Sequence, residues 1–327
     1  MTLRAQVGVG VAVIVLAVVV AGLLYSWKRP LSVYAMTNRR ALARAGLAEV
    51  KVPSAAGPQA AWTGGSGPTL VLLHGAGDSS GTFAKIADTL ATKYHLVIPD
   101  LAGHGRSAPA EGPIALGQVL AGLDAVMQQA PSEPATLVGN SLGAWVALLY
   151  ARQHPERVAR VVLVNGVALT GERSDLSLMP KSREEAAALM TELRDPGSQP
   201  VPGFVLDDVV REAASGPLAR FAQTASGMGE FLLDGKLHEI AAPVDLLWGE
   251  SDKLFPLSYA RRMMSALPAS RLTPVPACGH VPQQECPSRF GKALLEVLVM
   301  PPPGLTPKPA TPAGPESSVA PASGPGR

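Results

Sequence analysis

The chain has 327 residues, of which 47% are apolar and 17% are charged, and its net charge is +2. This length and apolar content are enough for one large domain with a sizeable core and additional tails. A net charge near zero, without a dense basic run in the middle of the chain, gives no support for nucleic-acid binding.

The first element is an uninterrupted uncharged stretch from Val7 to Tyr25 that is rich in Val, Ala and Leu. As a helix it would rise about 28 Å, close to the hydrocarbon thickness of a bilayer. Buried helices of soluble proteins rarely lack a polar face over five turns. We therefore predict a transmembrane anchor over residues 7–25, with a short segment of residues 1–6 before it and a juxtamembrane linker of residues 26–48 after it. The lipid bilayer is thus an expected partner.

A cleaved signal peptide is the alternative interpretation of this stretch. Arg4 would form its basic region, and the small residues ending at Ala21 would form its cleavage site. The apolar run continues to Tyr25, however, and Trp27 followed by Lys28 is typical of an interfacial anchor. We favour an uncleaved single-pass anchor at the cell membrane.

The side of the membrane stays open. Basic residues are more numerous after the span than before it, which by the positive-inside rule would keep the following domain cytoplasmic. A cleaved signal would instead make that domain secreted or periplasmic. The basic residues after the span are Lys28, Arg29, Arg39, Arg40 and Arg44.

Short apolar runs alternate with helical patterns over residues 49–299, which we predict to be the main domain. Each run is followed by a turn that contains Gly, Asn or Asp, and its continuous hydrophobicity suits a strand buried on both faces. This alternation predicts a mainly parallel sheet covered by helices. The runs begin at Thr69, His95, Ala135, Arg160 and Val244, and the helical patterns include 142–154 and 288–299.

Residues from about 170 to 240 break this alternation. They contain helical pieces at 182–193, 205–214 and 218–224, split by Pro and Gly. About 70 residues is too long for a plain connection between strands, so we predict a helical cap over the site. Residues 300–327 are dominated by Pro, Ala, Gly and Ser, and we predict a disordered tail there.

The motif Gly139-Asn140-Ser141-Leu142-Gly143 lies between a predicted strand and a predicted helix. In this context it fits the G-x-S-x-G turn, which exposes a nucleophilic serine at the helix N-terminus. We predict Ser141 as the nucleophile and the Leu142 N–H as an oxyanion donor. Outside such a context the serine would be an ordinary helix N-cap.

A serine nucleophile needs a base, and the base needs an orienting acid. Asp252 lies in the loop after the Val244 run, and His280 follows the next strand, so the order Ser141, Asp252, His280 is the expected one. Glu250 is the alternative acid, but the position of Asp252 before Pro256 favours Asp252. For the other histidines we predict surface or structural roles: His74, His95, His104, His154 and His238.

A glycine-rich loop follows the Thr69 run. The Ala76 N–H in this loop is the predicted second oxyanion donor, and Gly75 and Gly77 are expected beside the substrate together with the cap. The loop lacks the spacing of phosphate-binding loops. The histidines are scattered without ligand spacing, so we predict neither a metal nor a cofactor.

The two cysteines, Cys278 and Cys286, exclude a disulfide framework. They could pair in an extracytoplasmic domain, but close spacing alone does not satisfy disulfide geometry. We predict two unpaired cysteines that act as small hydrophobic side chains.

Five motifs in order across residues 50–299 together resemble the α/β-hydrolase superfamily, in its branch of lipases, esterases and meta-cleavage-product hydrolases. The resemblance implies a mostly parallel eight-stranded sheet flanked by helices, a cap, and a triad of Ser141, His280 and Asp252. The motifs are Leu72-Leu73-His74-Gly75, the nine residues from Pro99 to Ser107, the Ser141 turn, Gly249-Glu250-Ser251-Asp252 and Gly279-His280-Val281-Pro282.

The expected activity is hydrolysis of small carboxylic esters, including esters with an acyl chain, through an acyl-enzyme. Ser141 excludes the epoxide hydrolases and haloalkane dehalogenases of this superfamily, which carry Asp at the turn. Hydrolysis of C–C bonds is an alternative that Asn140 suits, but Asp78-Ser79 stands where those enzymes often show Pro-Gly. A non-catalytic binding protein is the third hypothesis, and the complete triad argues against it.

Overall fold

The computed structural model describes residues 3–171 and 177–304, with side chains from residue 13 onward. Most of the predicted tail, from residue 305, lies outside the described residues. The described part contains eight strands: β1 Ala48–Val52, β2 Gln59–Gly64, β3 Thr69–Leu73, β4 His95–Pro99, β5 Ala135–Asn140, β6 Val158–Val164, β7 Val244–Gly249 and β8 Ser270–Val275.

Eleven α-helices occur in the same ranges, together with short 3₁₀ turns such as Ser80–Phe83. The α-helices are α1 Leu3–Lys28, α2 Pro30–Arg44, α3 Ala84–Ala91, α4 Leu116–Gln129, α5 Leu142–Gln153, α6 Arg183–Leu193, α7 Gly203–Ser215, α8 Pro217–Ala222, α9 Leu257–Ala266, α10 Pro282–Glu285 and α11 Pro287–Val299.

The strands form one sheet in the order β1-β2-β4-β3-β5-β6-β7-β8. β2 is antiparallel to both of its neighbours, and every pairing from β4 to β8 is parallel. The predicted mostly parallel eight-stranded sheet is confirmed. Because parallel strands end at the same edge, the loops after β3, β5, β6, β7 and β8 meet there, where α/β sheets bind their ligands.

Helices cover both faces of the sheet. Alternate residues of β3 point to opposite layers: Leu70 and Leu72 pack with α2, α3 and α11, while Val71 and Leu73 pack with α4, α5 and α9. Each of these side chains is fully buried, which contributes about 1.5–3 kcal/mol per residue. The continuous apolar runs in the sequence therefore reflect burial on both faces.

The helices α6, α7 and α8 lie between β6 and β7 and correspond to the three helical pieces predicted for the cap. Ser182 caps α6, because its Oγ accepts a hydrogen bond from the Glu185 N–H. The cap helices pack on one another, and α7 also packs on the N-terminal helices α1 and α2.

The N-terminal region contains two helices where we expected a span and a linker. Pro30 stands in the first turn of α2, where its missing N–H costs nothing, so a new helix begins directly after Arg29. Leu42 of α2 is fully buried against the sheet layer. The region after the predicted anchor is thus largely helical and packed on the domain, because apolar α2 side chains reach the core.

Among the described residues, no single helix meets the length and hydropathy needed to cross a bilayer. One pair of helical segments meets the two criteria together, but the pair is bent by 102°. Its members are Val13–Lys28 and Pro30–Arg44. From Val13 onward, most apolar side chains of α1 are nonetheless exposed, as the 66% exposure of Leu23 illustrates. The transmembrane anchor of residues 7–25 stays a prediction.

The bend between α1 and α2 is held against the cap helix α7. The buried Asp208 carboxylate accepts a hydrogen bond from the Leu31 N–H at 3.0 Å and pairs with Arg211. Arg211 in turn donates to the Lys28 carbonyl oxygen at 2.6 Å. Asp208 therefore caps α2 from another helix and joins the N-terminal region to the cap.

We expect Asp208→Ala to lower the free energy of unfolding by about 2–3 kcal/mol, because it leaves the partly buried Leu31 N–H without its acceptor and removes the carboxylate that pairs with Arg211. The control is Asp207→Ala, which removes an exposed ion pair with Arg183 and should cost less than about 1 kcal/mol. Urea unfolding of the detergent-solubilised protein measures both values, and equal losses would contradict the proposed role of Asp208.

Candidate active site

Ser141 occupies a strained turn between β5 and α5. Its φ of 53° and ψ of −115° are unusual for a residue with a side chain. A Cβ at Gly139 would lie 2.3 Å from the Gly143 carbonyl oxygen, and a Cβ at Gly143 would lie 2.2 Å from the Leu73 carbonyl oxygen. Both glycines are therefore required for the close approach of strand and helix that presents Ser141.

Asp252 and His280 form a buried pair in the loops after β7 and β8. The His280 Nδ1 lies 2.8 Å from the Asp252 Oδ2, which accepts its hydrogen bond. The other carboxylate oxygen accepts from the Leu254 N–H at 2.9 Å and from the Phe255 N–H at 3.1 Å. Glu250 is exposed, so the structure brings Asp252 and not Glu250 to the histidine.

Asn165, which our sequence analysis missed, supports the same carboxylate from the end of β6. Its Nδ2 donates to the Asp252 Oδ2 at 2.7 Å, and its Oδ1 accepts from the Gly249 N–H at 3.1 Å. Asn165 is fully buried and has a φ of 46°, a conformation that asparagine tolerates better than most residues. An asparagine directly after a buried apolar strand was the available signal.

Asn140 connects the serine turn to the histidine loop. Its Nδ2 donates to the His280 carbonyl oxygen at 2.9 Å and to the Val164 carbonyl oxygen at 3.0 Å. Its Oδ1 accepts from the Gln283 Nε2 at 3.1 Å. The buried amide thus holds the backbone of His280 at a set place beside Ser141.

A cavity of about 260 Å³ brings Ser141 and His280 together with the glycine-rich loop. The predicted residues Gly75, Ala76 and Gly77 line it, and Leu142 follows Ser141 at the start of α5, where helical N–H groups lack intrahelical partners. The Ser141 Oγ makes no hydrogen bond to the described residues. Hydrogen bonds of this kind commonly tighten only when a substrate is bound.

The rest of the cavity wall is mostly apolar and comes from the cap, from α2 and from the loops beside the pair. The charged lining residues within the described ranges, other than the histidine, are acidic: Asp78 and Glu212. The apolar lining residues include Leu31, Leu178, Leu189, Met190, Leu193, Val209, Leu218, Leu254 and Val281.

His74 fixes the glycine-rich loop from behind. Its Nδ1 donates to the Gly75 carbonyl oxygen at 2.8 Å, and its Nε2 accepts from the Leu101 N–H at 2.9 Å. In the same loop, Asp78 accepts from the Gln284 Nε2 at 2.7 Å. Burial raises the pKa of the Asp78 carboxyl above its ordinary value.

The prediction of two unpaired cysteines is wrong, because Cys278 and Cys286 form a disulfide with a Cα–Cα distance of 5.9 Å. The short helix α10 turns the chain back after His280 and brings the two cysteines together. This reversal depends on packing around His280, and the eight-residue spacing alone did not reveal it.

Comparison with known proteins identifies the family of this chain. The family described as "Alpha/beta hydrolase family" matches residues 70–293, and the chain belongs to this family. A pimeloyl-[acyl-carrier protein] methyl ester esterase of Aromatoleum aromaticum is 34% identical over 236 residues, which cover 66% of this chain and 92% of that protein. The resemblance to the α/β-hydrolase superfamily is confirmed.

Two further similarities bear on function. A 2-hydroxy-6-oxononadienedioate/2-hydroxy-6-oxononatrienedioate hydrolase of Paraburkholderia phymatum is 29% identical over 265 residues, 72% of this chain and 88% of that protein. The crystal structure of a membrane phospholipase A, described as a bacterial virulence factor, has a TM-score of 0.72 and 26% identity, and covers 91% of this chain and 98% of that one. The protein is thus an α/β hydrolase whose relatives include esterases and C–C bond hydrolases.

His104 lies behind the site, buried, with its ring 5.2 Å from the His74 ring. Burial, followed by the nearby His74, lowers the pKa of His104 from its ordinary value of 6.5 to about 3. Below pH 6.5 the unfolded chain therefore binds a proton that the folded protein does not bind. The consequence is a loss of stability as the pH falls from 6.5 towards 3.

We expect His104 to account for a loss of about 1.4 kcal/mol of unfolding free energy per pH unit between pH 6 and pH 4. His104→Asn, which keeps a donor for the Ala102 carbonyl oxygen, should reduce this slope. The control is His238→Gln, a change at an exposed histidine far from this site, which should keep the wild-type slope. Urea unfolding at several pH values tests this, and an unchanged slope in His104→Asn would contradict it.

Proposed function

We propose that this protein hydrolyses carboxylic esters through an acyl-enzyme formed on Ser141. The observation that carries the proposal is the buried Asp252–His280 pair, joined at 2.8 Å, whose histidine lines the same cavity as Ser141 in its strained turn. These are the three parts that a serine hydrolase needs: an exposed nucleophile, a base and an acid that orients the base.

In the first half of the proposed reaction, the Ser141 Oγ attacks the ester carbonyl carbon and its proton moves to the His280 Nε2. The negative charge that develops on the carbonyl oxygen is stabilised by the N–H groups of Ala76 and Leu142. The C–O bond of the ester then breaks, and the proton on His280 goes to the leaving alcohol. Asp252 keeps the Nδ1 proton of His280 in place and balances the charge on the ring.

In the second half, a water molecule gives a proton to His280 and attacks the acyl carbon. The bond to the Ser141 Oγ breaks, the serine recovers its proton, and the carboxylic acid leaves. Throughout the reaction the Asp252 carboxylate keeps its hydrogen bonds from Asn165 and from the N–H groups of Leu254 and Phe255. Such fixed donors cost no reorganisation during the reaction.

The cavity favours esters over dienoate substrates. Dienoate substrates carry carboxylate groups, whereas the described lining has acidic Asp78 and Glu212 and no lysine or arginine. Negative groups would be repelled there, and an uncharged acyl chain would pack against the leucines of the cap. The esterase and the phospholipase among the similar proteins support the same class of substrate.

We further propose that α1 anchors the protein in a bilayer and that the substrate is a membrane lipid or another ester with a long acyl chain. Exposed apolar side chains cover α1 from Val13 onward, and such a surface calls for a lipid or protein partner. Leu31, in the first turn of α2, lines the cavity, so the chain that leaves the anchor forms part of the substrate wall. The similarity to a membrane phospholipase A extends over 91% of the chain.

The disulfide favours placing the catalytic domain on the oxidising side of the membrane, against the orientation indicated by the basic residues after the span. Disulfides persist in oxidising compartments and are rare in the cytosol. The Cys278–Cys286 bond closes the loop that carries His280, so formation of the bond constrains the loop of the proposed base.

We expect the full-length protein extracted from bacterial cells to carry no free thiol until it is reduced. The protein is denatured and treated with a maleimide-polyethylene glycol reagent, which adds mass at each free thiol. It should gain no adduct without reductant and two adducts after reduction. Cys278→Ser is the control and should show one adduct without reductant, because its Cys286 has lost its partner. Two adducts on unreduced wild-type protein would place the domain in the cytoplasm.

We expect a fluorophosphonate probe to label the wild-type protein and not Ser141→Ala. Hydrolysis of p-nitrophenyl esters should fall about 10⁴-fold or more in that variant, because the nucleophile is lost. Ser265→Ala on α9 is the matched control and should keep both labelling and hydrolysis.

The same assay separates the two hydrolase classes. Wild-type protein should hydrolyse p-nitrophenyl esters with a higher kcat/KM than a 2-hydroxy-6-oxo-dienoate substrate. No labelling of the folded protein would refute the serine mechanism, and faster cleavage of the dienoate would refute the ester assignment.

A further inference from the structure

The end of the cap helix α6 is hydrogen-bonded directly to both loops of the acid–base pair. The Glu192 carbonyl oxygen accepts from the Lys253 N–H at 3.2 Å, next to Asp252. The following carbonyl oxygen, that of Leu193, accepts from the N–H of His280 itself at 2.7 Å. The cap is thus in contact with the backbone that positions the base.

Glu285 strengthens this junction from α10. Its side chain is only 6% exposed. One oxygen accepts from the Asp195 N–H at 2.7 Å and from the Ser198 Oγ at 2.5 Å, both in the segment that follows α6. The other oxygen accepts from the Gly279 N–H at 2.6 Å, one residue before His280. A single buried carboxylate therefore joins the cap to the histidine loop.

The histidine loop has little room to move relative to the cap. A Cβ added at Gly279 would lie 2.2 Å from the Leu193 carbonyl oxygen, so the two backbones are in close contact. The Cys278–Cys286 disulfide closes the same loop, next to Glu285. The loop and the end of α6 are therefore packed together as one unit.

We propose that Glu285 is a positioning residue that couples the α6 wall of the cavity to the orientation of His280. Leu189, Met190 and Leu193 of α6 line the cavity. An acyl chain that packs against these three side chains would shift the end of α6 and the segment after it, which Glu285 binds. Because Glu285 also binds the Gly279 N–H, this shift would change the position of His280. The proposal rests on the function proposed above, and it assigns to the cap a part in aligning the base.

The chemistry of this junction requires a carboxylate. Glu285 accepts three hydrogen bonds, and both of its oxygens face donors. A glutamine has one acceptor oxygen, and its NH₂ group would face an N–H group at one of these places. Glu285→Gln should therefore loosen one end of the junction with almost no change in volume.

The test compares Glu285→Gln with Glu296→Gln, a change on α11 that removes only an exposed pair with Lys292 at 3.9 Å. With p-nitrophenyl butyrate and a longer-chain ester, we expect Glu285→Gln to lower kcat at least about 10-fold with a smaller change in KM, because misplacement of a catalytic group acts on the chemical step. Glu296→Gln should stay within about 2-fold of wild type.

A second readout needs no substrate. The His280 Nδ1 proton, hydrogen-bonded to Asp252, should give a low-field proton resonance in the wild-type protein. In Glu285→Gln this resonance should broaden or move upfield, and in Glu296→Gln it should not. If wild-type protein hydrolyses no ester while this difference is observed, the proposed function fails and the positioning role stands.

An unchanged kcat and an unchanged resonance in Glu285→Gln, even with a lower melting temperature, would overturn the proposal, because the residue would then be structural only. If Glu285→Gln folds poorly, Ser198→Ala tests the proposal instead, because it removes a single hydrogen-bond donor to Glu285. We expect a loss in kcat of about 2- to 5-fold there, and full wild-type kcat with a wild-type resonance would again overturn the proposal.

Discussion

A carboxylate buried at the edge of the sheet must be surrounded by hydrogen-bond donors, because an unpaired buried charge costs several kcal/mol. Asp252 meets this requirement with donors from three loops. Asn165 comes from the end of β6, Leu254 and Phe255 come from the loop after β7, and His280 comes from the loop after β8. The hydrogen bonds to this one carboxylate therefore hold the ends of β6, β7 and β8 together, and they orient the His280 base that shares the cavity with Ser141.

The same principle recurs at two other buried carboxylates, each of which joins elements that are far apart in the chain. Glu285 holds the end of the cap helix α6 to the residue before His280, and Asp208 holds the start of α2 to the cap helix α7. These contacts form a continuous connection from the N-terminal helices through the cap to the base. The substrate cavity lies within that connection, since Leu31 and Leu193 both line it.

Much of the fold was predictable because its signals are local. The run Thr69–Leu73 coincides with β3, and the pattern from Ser288 to Val299 differs from α11 by one residue. The helix α2 was not predicted, because its apolar side chains find partners only in the folded domain. β1 and β2 were not identified individually either. β1 is largely exposed, and β2 pairs antiparallel with β4 rather than continuing the repeated strand–helix units.

By itself, the sequence determined the strand–helix alternation and the Ser141 turn, because each of these depends on neighbouring residues. The order Ser141, Asp252, His280 can also be seen in the sequence. Only the tertiary structure decided that Asp252 and not Glu250 reaches the histidine, that Asn165 supports the pair, and that the two cysteines are joined. These outcomes depend on which loops meet at the edge of the sheet. Strand pairing and the need to satisfy buried charges decide which loops are adjacent. Neither can be deduced from the spacing of residues along the chain.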